Sequence, residues 1–124
     1  MLIRWAPVAI WIAVILGLSS IPSHTNTGPL FPGFDKLAHM GVYGVLGFLF
    51  ARARALPPQS FWSIALWSAI FGLIMGCTDE YYQRSVPGRV SDLFDVGADV
   101  IGAVLGGAIW LRWQQRRLRL ERSR

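Results

Sequence analysis

The chain has 124 residues, of which 53% are hydrophobic and only 15% charged, well below the roughly 25% charged residues of soluble proteins. That length leaves room for one domain, and the composition leaves little of it for a water-soluble one. The net charge of +5 would suit nucleic acid, but six of the twelve basic residues (Arg112, Arg116, Arg117, Arg119, Arg122 and Arg124) follow the last apolar run directly. Basic residues in that place face anionic lipid headgroups, so no nucleic-acid partner is expected. The single Cys77 excludes an intramolecular disulfide.

Apolar stretches predict helices over about 5–21, 34–51, 61–77 and 92–113. Each is long enough to cross a hydrocarbon core of about 30 Å. The expected fold is all-α, a four-transmembrane-helix bundle forming one domain over 1–124, with a basic tail at 114–124. Arg4, Arg52, Arg54 and the arginine tail put both termini and the 52–59 loop in the cytoplasm by the positive-inside rule. The loops 23–33 and 78–91 then face outward. Arg4, an apolar run and Ser19-Ser20 also resemble a signal peptide. The length of the run, its Trp5 and Trp11, and the lack of a hydrophilic mature domain favour a retained helix.

The first loop, with Pro22, Gly28, Pro29, Pro32 and Gly33, reads as irregular, with Asp35 as N-cap of the second helix. Pro57-Pro58 marks a tight connection, Pro87-Gly88 a turn, and Ser91 or Asp92 caps the fourth helix. Gly72 and Gly76, then Ala98, Gly102 and Gly106, recur at intervals of four, and Gly41, Gly44 and Gly47 at intervals of three. Small residues so spaced let helices approach closely in lipid. They serve packing within the bundle first, and a homo-oligomer second.

Six of the seven acidic residues lie at 35 and 79–99, where apolar helices begin or end. Asp35 and His39 share a helix face that continues to Tyr43, with Lys36 beside it; Asp79 and Gln83 share another, with Glu80 adjacent. Asp92, Asp95 and Asp99 form one stripe on the fourth helix. Asp99 should lie about 10 Å below Asp92, too deep for a surface charge, and so should face the interior. Six acids here meet three bases, Lys36, Arg84 and Arg89, so some acids must be protonated, hydrated or bound to a cation.

Several chemistries fit. Structurally, the carboxylates cap helices and pair with the bases, which explains Asp92 and Asp95 better than Asp99 and His39. No cofactor is expected; a divalent metal, if bound, would take Asp79, Glu80, Asp95 and His39, a set suited to Mg²⁺, Ca²⁺ or Mn²⁺ more than zinc. Arg89, Arg84 and Lys36 could instead clamp a phosphate or carboxylate. Covalent catalysis has Ser85, Ser91, Cys77 and a His39–Asp35 pair to draw on, but no nucleophile elbow.

At these residues the chain resembles the VanZ-like family. The likeness runs through Asp35-Lys36-x-x-His39-x-x-x-Tyr43, Asp79-Glu80-x-x-Gln83, Pro87-Gly88-Arg89, and Asp95 followed by Gly102 and Gly106, with Ser19-Ser20 also similar. It covers roughly 19–107, and aspartate stands at Asp99 where many members carry asparagine. The resemblance implies a protein of the bacterial inner membrane with its motif face outward. Its functional set would be Asp35, Lys36, His39, Asp79, Glu80, Gln83, Arg89 and Asp95, and its namesake's link is to glycopeptide, particularly teicoplanin, resistance. The leading expectation is a non-enzymatic role among membrane lipids, with the outer cluster recognising a lipid or cell-wall-precursor headgroup. Arg89 and Lys36 would hold the anion, and Asp79, Glu80 and Asp95 would orient them. A membrane hydrolase or transferase acting on a lipid-linked substrate, and a small transporter subunit, are the alternatives.

Overall fold

The computed structural model of the chain describes residues 2–22, 33–54 and 60–123. These form four helices and no strand: α1 (Leu2–Ser19), α2 (Phe34–Arg54), α3 (Phe61–Gln83) and α4 (Leu93–Arg122). The expected irregular loop before Gly33 and the Pro57-Pro58 turn lie mostly outside the described residues. Two helices, α3 and α4, are long and apolar enough to cross a membrane, and Ile3–Ser19 is a shorter apolar helix. α2, with Asp35, Lys36, His39, Arg52 and Arg54 among its residues, does not meet the same measure.

The helix ends differ from the expected ones for local reasons. Asp35 is not the N-cap of α2 but part of its first turn. The chain enters that helix through Gly33, whose φ of 85° few other residues adopt, and the Gly33 carbonyl accepts the Leu37 N–H. α3 continues past 77 to Gln83 because its last turns bury Asp79, Glu80 and Gln83 among polar partners. Its start is capped by Ser60, whose side chain accepts the Ser63 N–H. Asp92 caps α4 as expected, and Val86-Pro87-Gly88-Arg89 is a turn closed by Arg89 N–H to Val86 O, with Gly88 at φ 79°. The 114–124 tail is not a separate segment, since α4 runs through Arg122. Its Arg, Leu, Gln and Glu residues are good helix formers, and Arg117 lies over the Trp113 ring and pairs with Glu121 one turn on.

α4 is the central element, packed chiefly on α2 and then on α3, while among the described helices α1 packs on α2 and α3. The reason is glycine. A Cβ on Gly47 would collide with the Ala103 backbone, one on Gly102 with the Met40 backbone, and one on Gly106 with the Gly44 backbone. Gly47, Gly102 and Gly106 are thus engaged within the chain, while a Cβ on Gly41 would meet nothing within 4 Å. α1 is fixed by Val8 and Ile15 against Tyr43, Leu46 and Ala53, and by the Trp11 indole N–H on Val42 O.

Burial departs from the pattern of a soluble protein. Asp79, Glu80, Gln83, Asp95 and Asp99 are buried, while Ile10, Leu66, Leu73, Ile74, Ile101, Leu105 and Ile109 are exposed on the helix faces. Backbone against backbone leaves no slack. Gly47→Ala and Gly106→Ala should each destabilise the protein by about 1–3 kcal/mol or more. Gly41→Ala, which meets open space, should be neutral or stabilising by up to about 1 kcal/mol. Thermal unfolding in detergent measures this, and equal effects at all three positions would refute the α2–α4 packing.

Candidate functional site

The charged residues meet where α1 and α3 end and α2 and α4 begin. At the rim, Lys36 Nζ donates to Asp35 Oδ2 at 3.1 Å, Asp92 Oδ2 at 2.8 Å and Asp95 Oδ1 at 3.0 Å. One ammonium thereby joins the first turns of α2 and α4. The Asp92 backbone N–H donates to Glu80 Oε2 at 2.8 Å, tying α4 to α3, and Asp92 Oδ1 accepts the Phe94 N–H. The hydrogen bond from Lys36, and after it that from Phe94, holds the Asp92 carboxyl below the usual range.

Deeper, His39 Nδ1 lies 2.9 Å from Asp99 Oδ1, and its Nε2 lies 4.0 Å from Asp95 Oδ2. The imidazole is stacked near Tyr43 with ring centroids 6.4 Å apart. Asp99 is fully buried; it fits because a Cβ on Gly76 would stand only 2.8 Å from its Oδ2. Asp79 Oδ2 accepts from Gln83 Nε2 at 3.0 Å, and the same amide reaches Ser19 Oγ at 3.4 Å. Among the described residues, Asp79 Oδ1, Glu80 Oε1, Asp99 Oδ2 and the Tyr43 hydroxyl are buried with no hydrogen-bond partner. Buried polar atoms without a protein partner are uncommon and call for water, a proton or an ion.

Beside this cluster lies a cavity of about 190 Å³ between α1, α2 and α3. Its lining mixes apolar Ile15, Leu18, Ala38 and Val42 with Asp35, His39, Tyr43, Asp79, Gln83 and Arg89. Arg89 donates from Nε to Ile21 O at 3.3 Å and from Nη2 to Leu18 O at 3.1 Å. It therefore holds the C-terminal carbonyls of α1, where a cation also suits the helix dipole.

All eleven expected residues gather at this end, with altered partners. Lys36 is engaged by three aspartates rather than offered to an anion. Of the three acids expected to orient the cations, only Asp95 does so; Asp79 meets Gln83, and Glu80 meets the Asp92 N–H. Arg84 makes no ion pair among the described residues. His39, Glu80 and Asp95 each bring a ligand atom within 4.8 Å of the others, but Asp79 is not in that group. Among the described residues, no hydrogen bond links Ser85, Ser91 or Cys77 to His39. Sequence reasoning missed the part of α1: the apolar lining, the α1 carbonyls, and Ser20 Oγ on the Tyr82 hydroxyl at 2.8 Å. Ser19-Ser20, noted for its likeness to the family and to a signal-peptide cleavage site, was the one signal there.

The lowered Asp92 carboxyl predicts a pH signature. Its folded pKa lies below its unfolded value, so ionised Asp92 stabilises the fold above about pH 4 and loses that contribution as pH falls through the folded value. The Tm difference between wild type and Asp92→Asn should be greatest near neutrality and shrink below about pH 4. A difference that stays constant with pH would show that the Lys36–Asp92 pair contributes nothing.

Comparison with curated proteins and with solved structures finds no match. The family model described as VanZ/LLP1 matches residues 4–114. That span holds every residue of the cluster, and the chain belongs to the VanZ-like family.

Proposed function

We propose that the chain is a multi-pass protein of the bacterial cytoplasmic membrane, crossing it four times with both termini inside. In this reading its outward cavity receives the headgroup of a lipid or a lipid-linked cell-wall precursor. The exposed Ile and Leu residues on the helix faces support the membrane setting, because water would leave that surface unsatisfied. At 1.5 Å per residue, even α1 and α2 reach about 27 and 32 Å, close to the thickness of the hydrocarbon core. Arg4, Arg52 and Arg117 line one cavity together with Trp110 and Trp113, and these basic and aromatic residues suit the cytoplasmic interface.

The observation that carries the headgroup reading is the mixed lining of the cavity. Ile15, Leu18, Ala38 and Val42 line it together with Arg89, Asp79 and Gln83, and apolar surface with a few polar groups suits a headgroup at the lipid boundary. Its volume fits a phosphate or small headgroup, leaving the chain of the lipid along the outer helix faces. A phosphate would meet Arg89, and hydroxyl or ammonium groups would meet Asp35 and Asp79. The teicoplanin link of the family's namesake would be met if the ligand is a cell-wall precursor. A hydrolase or transferase acting on the same substrate is the second reading, favoured by His39, which lines the cavity while facing Asp95 and Asp99.

Native mass spectrometry of the gently extracted protein tests the ligand. Wild type should carry a phospholipid or prenyl-phosphate adduct, its mass telling the two apart. Ala38→Trp, which fills the cavity and spares every hydrogen bond of the cluster, should lose it. Equal adducts in both forms, or none in wild type, would overturn the reading. For topology, alkaline phosphatase fused after Arg124 should be inactive, and green fluorescent protein fused there should fluoresce; the reverse pattern would overturn the orientation.

A further inference from the structure

Four buried carboxyls, Asp79, Glu80, Asp95 and Asp99, stand together, and among the described residues Lys36 is the one lysine or arginine paired with any of them. Lys36 also serves the more exposed Asp35 and Asp92. The interior therefore carries an excess of acid. Within it, His39, Glu80 and Asp95 present ligand atoms all within 4.8 Å of one another. Glu80 is only 4% exposed; its Oε2 takes the Asp92 N–H, and its Oε1 has no hydrogen-bond partner among the described residues.

The histidine is set for ligation. A carboxylate can only accept, so with Asp99 ionised His39 Nδ1–H donates to Asp99 Oδ1, and the lone pair sits on Nε2. Nε2 then faces Asp95 Oδ2 at 4.0 Å. That distance is too long for a hydrogen bond, yet two ligands each about 2.0–2.2 Å from a shared ion can stand as far as about 4.4 Å apart. Asp95 divides its oxygens in the same sense, giving Oδ1 to Lys36 and leaving Oδ2 toward His39. A carboxylate behind a ligating histidine fixes its tautomer and raises its basicity.

We infer that His39, Glu80 and Asp95 bind one divalent cation of the Mn²⁺ or Zn²⁺ kind, with Asp99 as the positioning residue behind His39. The set expected from the sequence, one imidazole with three carboxylates, pointed away from zinc, but Asp79 lies outside the group. One imidazole with two carboxylates favours ions that accept mixed nitrogen and oxygen ligands over Mg²⁺ or Ca²⁺. Water would complete the coordination. Because His39 also lines the cavity, the ion would supply there the positive charge that Lys36 does not offer. The site goes beyond the headgroup reading and does not depend on it, since cation binding is measurable without lipid.

Chelator-stripped, detergent-purified full-length protein is titrated with Mn²⁺ or Zn²⁺ alone. Wild type should take up one equivalent, and pulsed electron paramagnetic resonance of bound Mn²⁺ should show coupling to an imidazole nitrogen. Glu80→Gln and His39→Gln should each weaken binding at least tenfold, and His39→Gln should remove the nitrogen coupling. Asp99→Asn should cost about 10–100-fold, as loss of a positioning carboxylate does. Cys77→Ser should bind as wild type does, which sets the exposed thiol aside. Absence of uptake by wild type, bound Mn²⁺ without nitrogen coupling, or binding unchanged in both Glu80→Gln and His39→Gln would overturn the site. The wild-type spectrum decides even if a variant fails to fold.

Discussion

The fold depends on the backbone contact between α2 and α4. In the membrane setting proposed above, lipid gives helices no hydrophobic reason to associate, so dispersion at short range must do it, and small residues such as glycine permit that range. Contacts advance in step along both helices: Lys36 with Asp92 and Asp95, His39 with Asp99, Met40 with Gly102, Gly44 with Gly106. The two helices are therefore parallel and fixed in one register, and that register delivers the polar pairs. A side chain at Gly102 or Gly106 would separate the helices and take His39 from Asp99. The packing stripe and the charged stripe are two parts of one device.

Helix ends account for much of the remaining charge placement. Asp35 lies in the first turn of α2, Asp92 caps α4, and Asp95 lies in its first turn, where the positive end of a helix dipole favours anions. Arg89 reaches the carbonyl end of α1, where a cation is favoured. Lys36 bridges the two anionic helix starts. These contacts explain the rim as architecture. They do not explain Asp99, fully buried a turn deeper, nor the partnerless oxygens of Asp79 and Glu80.

Several of these features were legible in the sequence. The i, i+3, i+7 spacing of Asp92, Asp95 and Asp99 gave their common face, and the glycine spacing gave the close approach. Other features were not, and the reason is physical. Arg89 bonds main-chain carbonyls, and a carbonyl has no residue identity to recognise. Arg89 and Lys36 looked alike as free cations until the carboxylates around Lys36 were counted in space. The helical continuation through Arg122 was hidden because the run of arginines reads as a charge block, although Trp113, Arg117 and Glu121 support one another along one helix face. α1, apolar and almost uncharged, gave no sign that its end would wall the cavity.

The distribution of polar groups also bears on what kind of site this is. Among the described residues, the buried polar side chains are Ser19, Asp79, Glu80, Gln83, Asp95 and Asp99 at one end, and Ser68 alone farther along α3. Past Asp99 the interior closes through Gly72 against Ala103 and Gly107 against Ser68, with Ile64, Ala51, Trp110 and Leu111 beyond. Moving an ion or a solute across a bilayer needs polar partners along its path. Here the described chain offers them at one face and then seals. That geometry suits a site approached from a single side, as the headgroup reading proposed above requires.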